Sequence, residues 1–234
     1  MRFLRYVLTA LSLCFIAGSA SASNADPKSG LDYMVVANPQ TTDSGKKVEV
    51  IEFFGYFCPH CNVFDPPLTE WVKKQGDAIV FKRVPVAFSD TAVAQQKLFY
   101  ALEAMGKLEE MHKKIFNAIH VERQQLNREE LIVDFVVKQG IDKQKFLDVY
   151  NSFTVQAKVR RAGQIAANFK IEGVPTIAID GRFLTSPSIA AAGMPPNQTE
   201  PALLGGALKV MDFLVAKAAK EAKPSAASAA AKSK

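Results

Sequence analysis

One stretch decides the fold: Val48-Glu49-Val50-Ile51-Glu52-Phe53-Phe54-Gly55-Tyr56-Phe57-Cys58-Pro59-His60-Cys61. Its first half is rich in β-branched and aromatic residues without strict alternation, which is typical of a strand buried on both faces of an α/β sheet. A Cys-x-x-Cys motif follows directly, and apolar residues then recur at helical spacing as far as Val72. The stretch therefore predicts a buried strand that leads into a helix, with Cys58 at the junction.

The order of elements along the rest of the chain indicates the architecture. Residues 78–86 form a second strand-like run, and residues 89–169 carry helical signals without a convincing strand. Residues 173–185 return to strand-like sequence around Asp180-Gly181, which is a strong hairpin signal. A last helix is predicted from residue 199, with a proline at an early, tolerated position.

These patterns predict an α/β protein with a thioredoxin-like fold interrupted by an inserted all-helical domain. The predicted boundaries are residues 1–22 for a signal peptide, 23–88 and 163–216 for the discontinuous thioredoxin-like domain, 89–162 for the helical insertion, and 217–234 for a disordered tail rich in Ala and Lys.

The N-terminus has the three-part layout of a secretory signal peptide. Arg2 and Arg5 precede an apolar run from Tyr6 to Ala17, and Ala20-Ser21-Ala22 forms a cleavage site. The alternative is a permanent anchor, but the apolar run is short for a membrane span. We expect cleavage near Ala22 and export to an oxidising compartment.

The net charge of +6 resides outside the predicted folded domains. Two arginines belong to the signal peptide, and five lysines with one glutamate lie in residues 215–234, so residues 23–214 carry 22 basic and 22 acidic side chains. Because a folded body of zero net charge has no basic footprint for a polyanion, we expect no nucleic-acid partner.

The Cys-Pro-His-Cys motif has the features of a reactive dithiol. A helix N-terminus presents unpaired N–H groups and partial positive charge, and both favour the thiolate of Cys58. Pro59 suits the first helical turn, His60 favours the thiolate further, and Cys61 lies one turn on and is less exposed. A stabilised thiolate stabilises the reduced form, so the disulfide is predicted to be an oxidant.

Two other interpretations of the cysteines carry less weight. A structural disulfide is disfavoured because so short a loop removes little chain entropy. A zinc site would need further ligands from His60, His112 and His120, and the last two lack the usual histidine spacing. We therefore expect no metal, and we expect His112 and His120 to be surface residues of the helical insertion.

Glu52 is an acid inside the predicted buried strand, six residues before Cys58. Burying it is costly unless it has a partner. Either its side chain reaches solvent at the strand end, or it lies beneath the site and handles protons for Cys61. Lys82, in the neighbouring strand, is a candidate charge partner, or alternatively a solvated strand residue.

Val174-Pro175-Thr176 places a proline at the entry of a strand. On the pattern alone, this is an ordinary strand-starting proline. In a thioredoxin-like fold a cis-proline lies opposite the Cys-x-x-Cys motif and leaves backbone groups free to pair with an extended substrate. In that context we predict Val174, Pro175 and Thr176 to form the substrate-side wall.

Residues 53–61, the Gly173-Val174-Pro175-Thr176 motif and the helical block between them closely resemble the DsbA family of periplasmic thiol:disulfide oxidoreductases. The resemblance covers roughly residues 30–216. It implies Cys58 as the reactive thiol and Cys61 as its buried mate. The family's buried Glu matches Glu52, and its Lys on the next strand is matched to Lys82. Departures are Gly55 and Tyr56, and the Ala/Lys tail has no family role.

The resemblance implies a periplasmic enzyme that oxidises reduced, unfolded, newly exported polypeptides and needs no cofactor. It also implies reoxidation by a quinone-linked membrane oxidase of the DsbB type, and we expect a monomer. Two other functions compete: a disulfide isomerase or reductase of the same fold, and a peptide-binding chaperone with incidental thiols. An isomerase of this compartment resembles a dimer with a separate N-terminal domain, for which the lead-in before Val48 is too short.

Overall fold

The computed structural model describes residues 26–231, with side chains as far as residue 222. The predicted signal peptide lies outside the described residues. The strands are β1 (Met34–Val35), β2 (Val48–Phe54), β3 (Ile79–Pro85), β4 (Thr176–Ile179) and β5 (Phe183–Thr185). The helices are α1 (Pro59–Gln75), α2 (Asp90–Ala104), α3 (Leu108–His120), α4 (Glu129–Lys138), α5 (Lys143–Tyr150), α6 (Phe153–Asn168), α7 (Pro187–Ala191) and α8 (Glu200–Ala231).

The described strands form one five-stranded sheet in the order β1-β5-β4-β2-β3. β2 lies between β3, to which it is parallel, and β4, to which it is antiparallel. All of its residues are buried. The prediction that residues 48–54 form a strand covered on both faces is confirmed, because helices pack on each side of the sheet.

The hairpin between β4 and β5 turns at Asp180-Gly181, as predicted. Asp180 has φ 54° and Gly181 has φ 65°, and two successive left-handed residues are the signature of a type I′ turn. A side chain at position 181 would also clash with a neighbouring loop, since a Cβ atom there would lie 2.0 Å from the carbonyl oxygen of Gln40. The turn thus fixes the register of β4, which begins beside the redox motif.

Helices enclose a hydrophobic cluster on each face of the sheet. On one face, Phe64 and Trp71 of α1 pack with Met211 of α8 and with the apolar side chains of β2 that point to that side. On the other face, the helices from α2 to α6 pack over Ile51 and Phe53. The fold class is therefore confirmed as a thioredoxin-like α/β fold with a helical insertion.

The structure differs from the predicted boundaries at two helices. α6 crosses residue 163 without interruption, and α8 continues past residue 217, where the sequence predicts the start of a disordered tail. Ala218 is fully buried, and Glu221 forms ion pairs with Arg182 and Lys217. Ala and Lys are good helix formers, so the helix extends where these contacts hold it. Within the described residues, no helix is both long and apolar enough to cross a membrane.

Candidate active site

Cys58 lies at the end of the loop between β2 and α1. It is the N-cap residue of α1, in an extended conformation, and Pro59 takes the first helical turn, where a missing N–H is tolerated. The backbone N–H of Cys61 points at Cys58 Sγ, 3.3 Å away. Both cysteines are free thiols. The unpaired donors of the helix N-terminus therefore converge on one sulfur, as the sequence predicts.

The two thiols have opposite acidities. The hydrogen bond from the Cys61 thiol, together with the backbone N–H groups of Cys61 and His60 and the charge of His60, outweighs burial and lowers the pKa of Cys58 to about 6. Burial raises the pKa of Cys61 far above its ordinary value, and the neighbouring Cys58 adds to the effect. The pair therefore holds its negative charge on Cys58 while Cys61 stays protonated.

His60 extends from the start of α1 into solvent. Its side chain is 75% exposed, and its Nδ1 lies 3.8 Å from a carboxylate oxygen of Glu200 at the start of α8. Cys58 itself is buried, with 6% of its surface exposed, so the exposed imidazole acts on it through its charge.

Val174, Pro175 and Thr176 lie opposite the dithiol. The Val174–Pro175 peptide bond is cis. The Cys58 thiol donates to the carbonyl oxygen of Val174 at 3.3 Å, and the Thr176 hydroxyl donates to the carbonyl of Gly173 at 2.8 Å. The hydrogen bond to Val174 therefore connects the start of α1 with a segment that is 116 residues away in sequence.

A groove of about 1060 Å³ lies next to the active site, and His60 is the residue of the Cys-Pro-His-Cys motif that lines it. The cis-proline segment forms one wall, Ser186–Ile189 of the loop and α7 form another, and His60 lies at the dithiol end. Apolar side chains from β1 and α8 contribute as well, among them Val35, which is 56% exposed. Such a surface can hold an extended apolar segment beside Cys58.

Glu52 is buried, with 1% of its surface exposed, so the alternative that it reaches solvent is wrong. Its partner is Arg83, whose Nε donates to a Glu52 carboxylate oxygen at 3.0 Å. The same guanidinium donates through Nη2 to Asp65 of α1 at 2.9 Å. Burial raises the pKa of Glu52 to about 7, although Arg83 opposes the shift.

Of the two alternatives for Lys82, the one that pairs it with Glu52 is wrong. Lys82 instead donates to Glu49 at 2.7 Å and pairs with Asp43. The register explains the difference, because Glu52 is the lateral neighbour of Arg83, whereas Lys82 is the neighbour of Ile51 and points to the opposite face. Two adjacent basic residues in a strand cannot be told apart in this respect until the register is known.

The prediction that His112 and His120 are surface residues is also wrong. His112 is buried and its Nδ1 lies 2.8 Å from the Tyr56 hydroxyl, while His120 is partly buried and its Nε2 lies 2.8 Å from the Tyr56 carbonyl oxygen. One signal was present in the sequence: His112 precedes Phe116 by four residues and so shares the apolar face of its helix.

The contacts of these histidines bear on the zinc alternative. Both imidazoles are engaged with Tyr56. Among the described residues, no group of three or more His, Cys, Asp and Glu side chains is arranged to hold a metal ion.

Comparison with known proteins identifies the family. The model of the family described as "DSBA-like thioredoxin domain" matches residues 49–194. The thiol:disulfide interchange protein DsbA of Burkholderia cepacia is 45% identical over 206 residues, which cover 88% of this chain and 92% of that protein. The DsbA of Pseudomonas aeruginosa is 33% identical over 90% of this chain and 95% of its own.

Solved structures agree with the sequence relatives. The crystal structure of Pseudomonas aeruginosa DsbA has a TM-score of 0.76 and 31% identity, covering 86% of this chain and 99% of that one. The oxidoreductase NmDsbA1 of Neisseria meningitidis has a TM-score of 0.70 and 26% identity, covering 86% and 98%. The chain therefore belongs to the DsbA family of thiol:disulfide interchange proteins and is a protein disulfide oxidoreductase.

Proposed function

We propose that the protein introduces disulfide bonds into newly exported polypeptides by donating its Cys58–Cys61 disulfide through a mixed disulfide on Cys58. The observation that carries the proposal is the unequal acidity of the two thiols. A thiol whose pKa is lowered to about 6 is a good leaving group and stabilises the reduced pair. Both properties favour passing the disulfide on to a substrate.

The reaction proceeds in two exchanges. A substrate thiolate attacks Cys58 Sγ, the bond to Cys61 breaks, and Cys61 leaves as a thiolate that takes up a proton. A second substrate thiolate then attacks the substrate sulfur of the mixed disulfide, and Cys58 leaves as a stabilised thiolate. The substrate loses two electrons in forming its disulfide, and the enzyme pair gains them.

Glu52 is the proposed proton donor and acceptor for Cys61. Its pKa of about 7 lets it exist in both protonation states near neutral pH. The charge of Glu52 also raises the pKa of Cys61, which places the two groups within electrostatic reach. A neutral Glu52 thus supports protonation of the departing Cys61 thiolate.

The groove beside Cys58 is the proposed binding surface for the substrate chain. The backbone at Val174 and Pro175 faces the reactive sulfur and can pair with an extended peptide, and Thr176 continues the same wall. The apolar lining suits unfolded polypeptides, since their apolar side chains are not yet buried. His60, at the end of the groove, lies where it can contact the substrate beside the mixed disulfide.

We place this activity in the periplasm, with reoxidation by a quinone-linked membrane oxidase of the DsbB type. The support is the signal-peptide layout of residues 1–22 and membership of the family. Because the acceptor of the electrons is external, the dithiol requires no bound cofactor of its own.

The test is oxidation of a reduced, unfolded protein by the disulfide form of the enzyme. The wild type is expected to oxidise it, Cys58→Ser to be inactive, and reduced Cys61→Ser to accumulate a mixed disulfide with a peptide disulfide. Oxidation that survives in Cys58→Ser would point to a chaperone with incidental thiols. A glutathione equilibrium close to that of thioredoxin would point to a reductase instead.

A further inference from the structure

We infer that His112, contributed by the helical insertion, is a positioning residue of the dithiol reaction: it holds the Asp65 carboxylate against Arg83 and so sets the protonation of Glu52. The inference rests on the proposed role of Glu52. It concerns a buried histidine outside the Cys-Pro-His-Cys motif, in a helix that contacts neither cysteine through a hydrogen bond.

The His112 ring packs among aromatic side chains and has a polar group next to each of its two nitrogens. The rings of Phe54 and Phe116 lie 5.4 and 5.1 Å from its ring, centroid to centroid. Its Nδ1 lies 2.8 Å from the Tyr56 hydroxyl, and its Nε2 lies 3.2 Å from Asp65 Oδ1, although the second contact is not aligned as a linear hydrogen bond. An imidazole placed between two polar groups in apolar surroundings is held by both of them.

The neighbours determine which nitrogen carries the proton. The Asp65 carboxylate is ionised: burial disfavours the charge, but the His112 contact and the Arg83 charge outweigh burial and lower the pKa of Asp65. A carboxylate only accepts, so Nε2 carries the hydrogen. Nδ1 is then free to accept from the Tyr56 hydroxyl, which burial keeps protonated by raising its pKa.

His112 itself stays neutral, since burial lowers its pKa despite the attraction of Asp65 and Glu109. The chain of contacts therefore runs from Tyr56 through a neutral imidazole to an ionised Asp65. Asp65 in turn shares Arg83 with Glu52. Five elements thus meet in one buried network: β2, the loop after it, α1, β3 and α3.

Removing the His112 contact has a predictable sign. Asp65 would be left with burial opposed by Arg83 alone, so its pKa would rise and it would take up a proton at higher pH. The negative charge of Asp65 raises the pKa of Glu52, and Arg83 lowers it. Arg83 still pairs with Asp65, so Asp65 stays ionised near neutral pH, and its charge is no longer partly offset by the Nε2–H of His112. The pKa of Glu52 therefore rises.

The same helix supplies a matched control. His120 donates to the carbonyl oxygen of Tyr56 at 2.8 Å, so it holds the same loop. Because His120 bonds to the backbone of Tyr56, whereas His112 bonds to its hydroxyl, His120 is not part of the series of side-chain contacts that reaches Asp65. A variant at His120 loosens the loop before Cys58 and leaves the contact between His112 and Asp65 in place.

The experiment compares the full-length mature protein with three variants. His112→Asn keeps an acceptor where Nδ1 meets Tyr56 and loses the reach to Asp65. His112→Gln keeps an N–H donor long enough to reach Asp65. His120→Asn is the control. For each, the Glu52 carboxyl is titrated by carbon-detected NMR, and the rate of peptide oxidation relative to wild type is followed from pH 5 to 8.

In His112→Asn the Glu52 titration is expected to move to higher pH by up to about one unit, at most a roughly tenfold change in its protonation equilibrium. The pH profile of the relative rate of oxidation should move in the same direction by the same amount, and His112→Gln should restore both toward wild type. The double variant His112→Asn with Asp65→Asn should titrate as Asp65→Asn alone, because the two residues act through one charge.

An unshifted Glu52 titration in folded His112→Asn would overturn the inference, as would an equal shift in His120→Asn. If the wild type fails to oxidise the peptide, the proposed function is lost. The NMR titrations would still decide whether His112 controls the protonation of Glu52, so the two failures are distinguishable.

Discussion

Arg83 donates to Glu52 at 3.0 Å, and this ion pair between neighbouring strands lies beneath the active-site loop. The Arg83 side chain is 12% exposed and that of Glu52 is 1% exposed. The pair is therefore largely desolvated and depends on its geometry, in contrast to Lys82, whose side chain is 36% exposed. Four predictions follow from this arrangement and from the loop above it.

Arg83→Met should destabilise the protein more than Lys82→Met. The first change leaves two buried carboxylates, Glu52 and Asp65, without their shared cation, for which a loss of about 3–5 kcal/mol is typical. The second leaves one buried carboxylate, Glu49, without a cation that is itself 36% exposed, and a smaller loss of about 1–3 kcal/mol is expected. Denaturant unfolding of both variants measures the difference. Equal losses would mean that the two basic residues have similar roles.

Glu52 should make stability depend on pH. Its folded pKa of about 7 lies above its ordinary value of 4.5, so its contribution is fully present below pH 4.5 and is lost as the pH rises through 7. The free energy of unfolding of the reduced wild type should fall by about 3 kcal/mol across this range relative to Glu52→Gln. Parallel pH profiles for the two proteins would contradict the prediction.

Cys58 should make the reduced protein more stable than the oxidised one. Its pKa is lowered from 9.0 to about 6 in the folded state, so the added stability is fully present above pH 9 and is lost as the pH falls through 6. The difference between the free energies of unfolding of the reduced and oxidised forms should therefore shrink as the pH falls from 9 to 6 and change little below 6. His60→Ala should weaken the effect and raise the pH at which the thiolate absorbs in the ultraviolet.

Gly55 should be needed for the placement of Phe57. A Cβ atom at Gly55 would lie 2.3 Å from the Phe57 ring, so Gly55→Ala must push that flexible side chain away from its position beside Cys58. Because only a ring moves, the protein should still fold, with a loss of about 1 kcal/mol or more and a changed rate of mixed-disulfide formation.

The control for this change is Gly163→Ala in α6. Apart from its chain neighbours and the backbone of its own helix, no atom lies within 4 Å of the added methyl group there, and alanine is favoured over glycine in a helix interior by about 1 kcal/mol. This variant should be as stable as the wild type or more so, with an unchanged rate of mixed-disulfide formation. A neutral Gly55→Ala would show that the Phe57 ring has no preferred position.

Local patterns were sufficient for the parts of the site that lie close together in sequence. The buried strand of residues 48–54 is recognisable because its apolar run has no polar face. Cys58 caps α1 because the motif and the helix start are contiguous, and Asp180-Gly181 forms its hairpin because two left-handed residues suit that turn. Each of these features depends on a few neighbouring residues.

Long-range contacts were not predictable in the same way. Whether Lys82 or Arg83 meets Glu52 depends on the register of β2 against β3, and a shift of one residue exchanges their faces. The burial of His112 depends on how α3 packs over Tyr56, which is 56 residues away in sequence. Helical periodicity marked the apolar face of α3 but not the polar partners that it meets.

The amino-acid sequence by itself determined the fold class, the position of the dithiol at a helix start and the strand that supports it, because these follow from local hydrogen bonding and hydrophobic pattern. The tertiary structure alone decided which charges share the interior with Glu52 and which histidine reaches Asp65. These contacts form only when segments distant in sequence pack together and exclude water. A buried carboxylate then pairs with the cation that the packing places within hydrogen-bond distance.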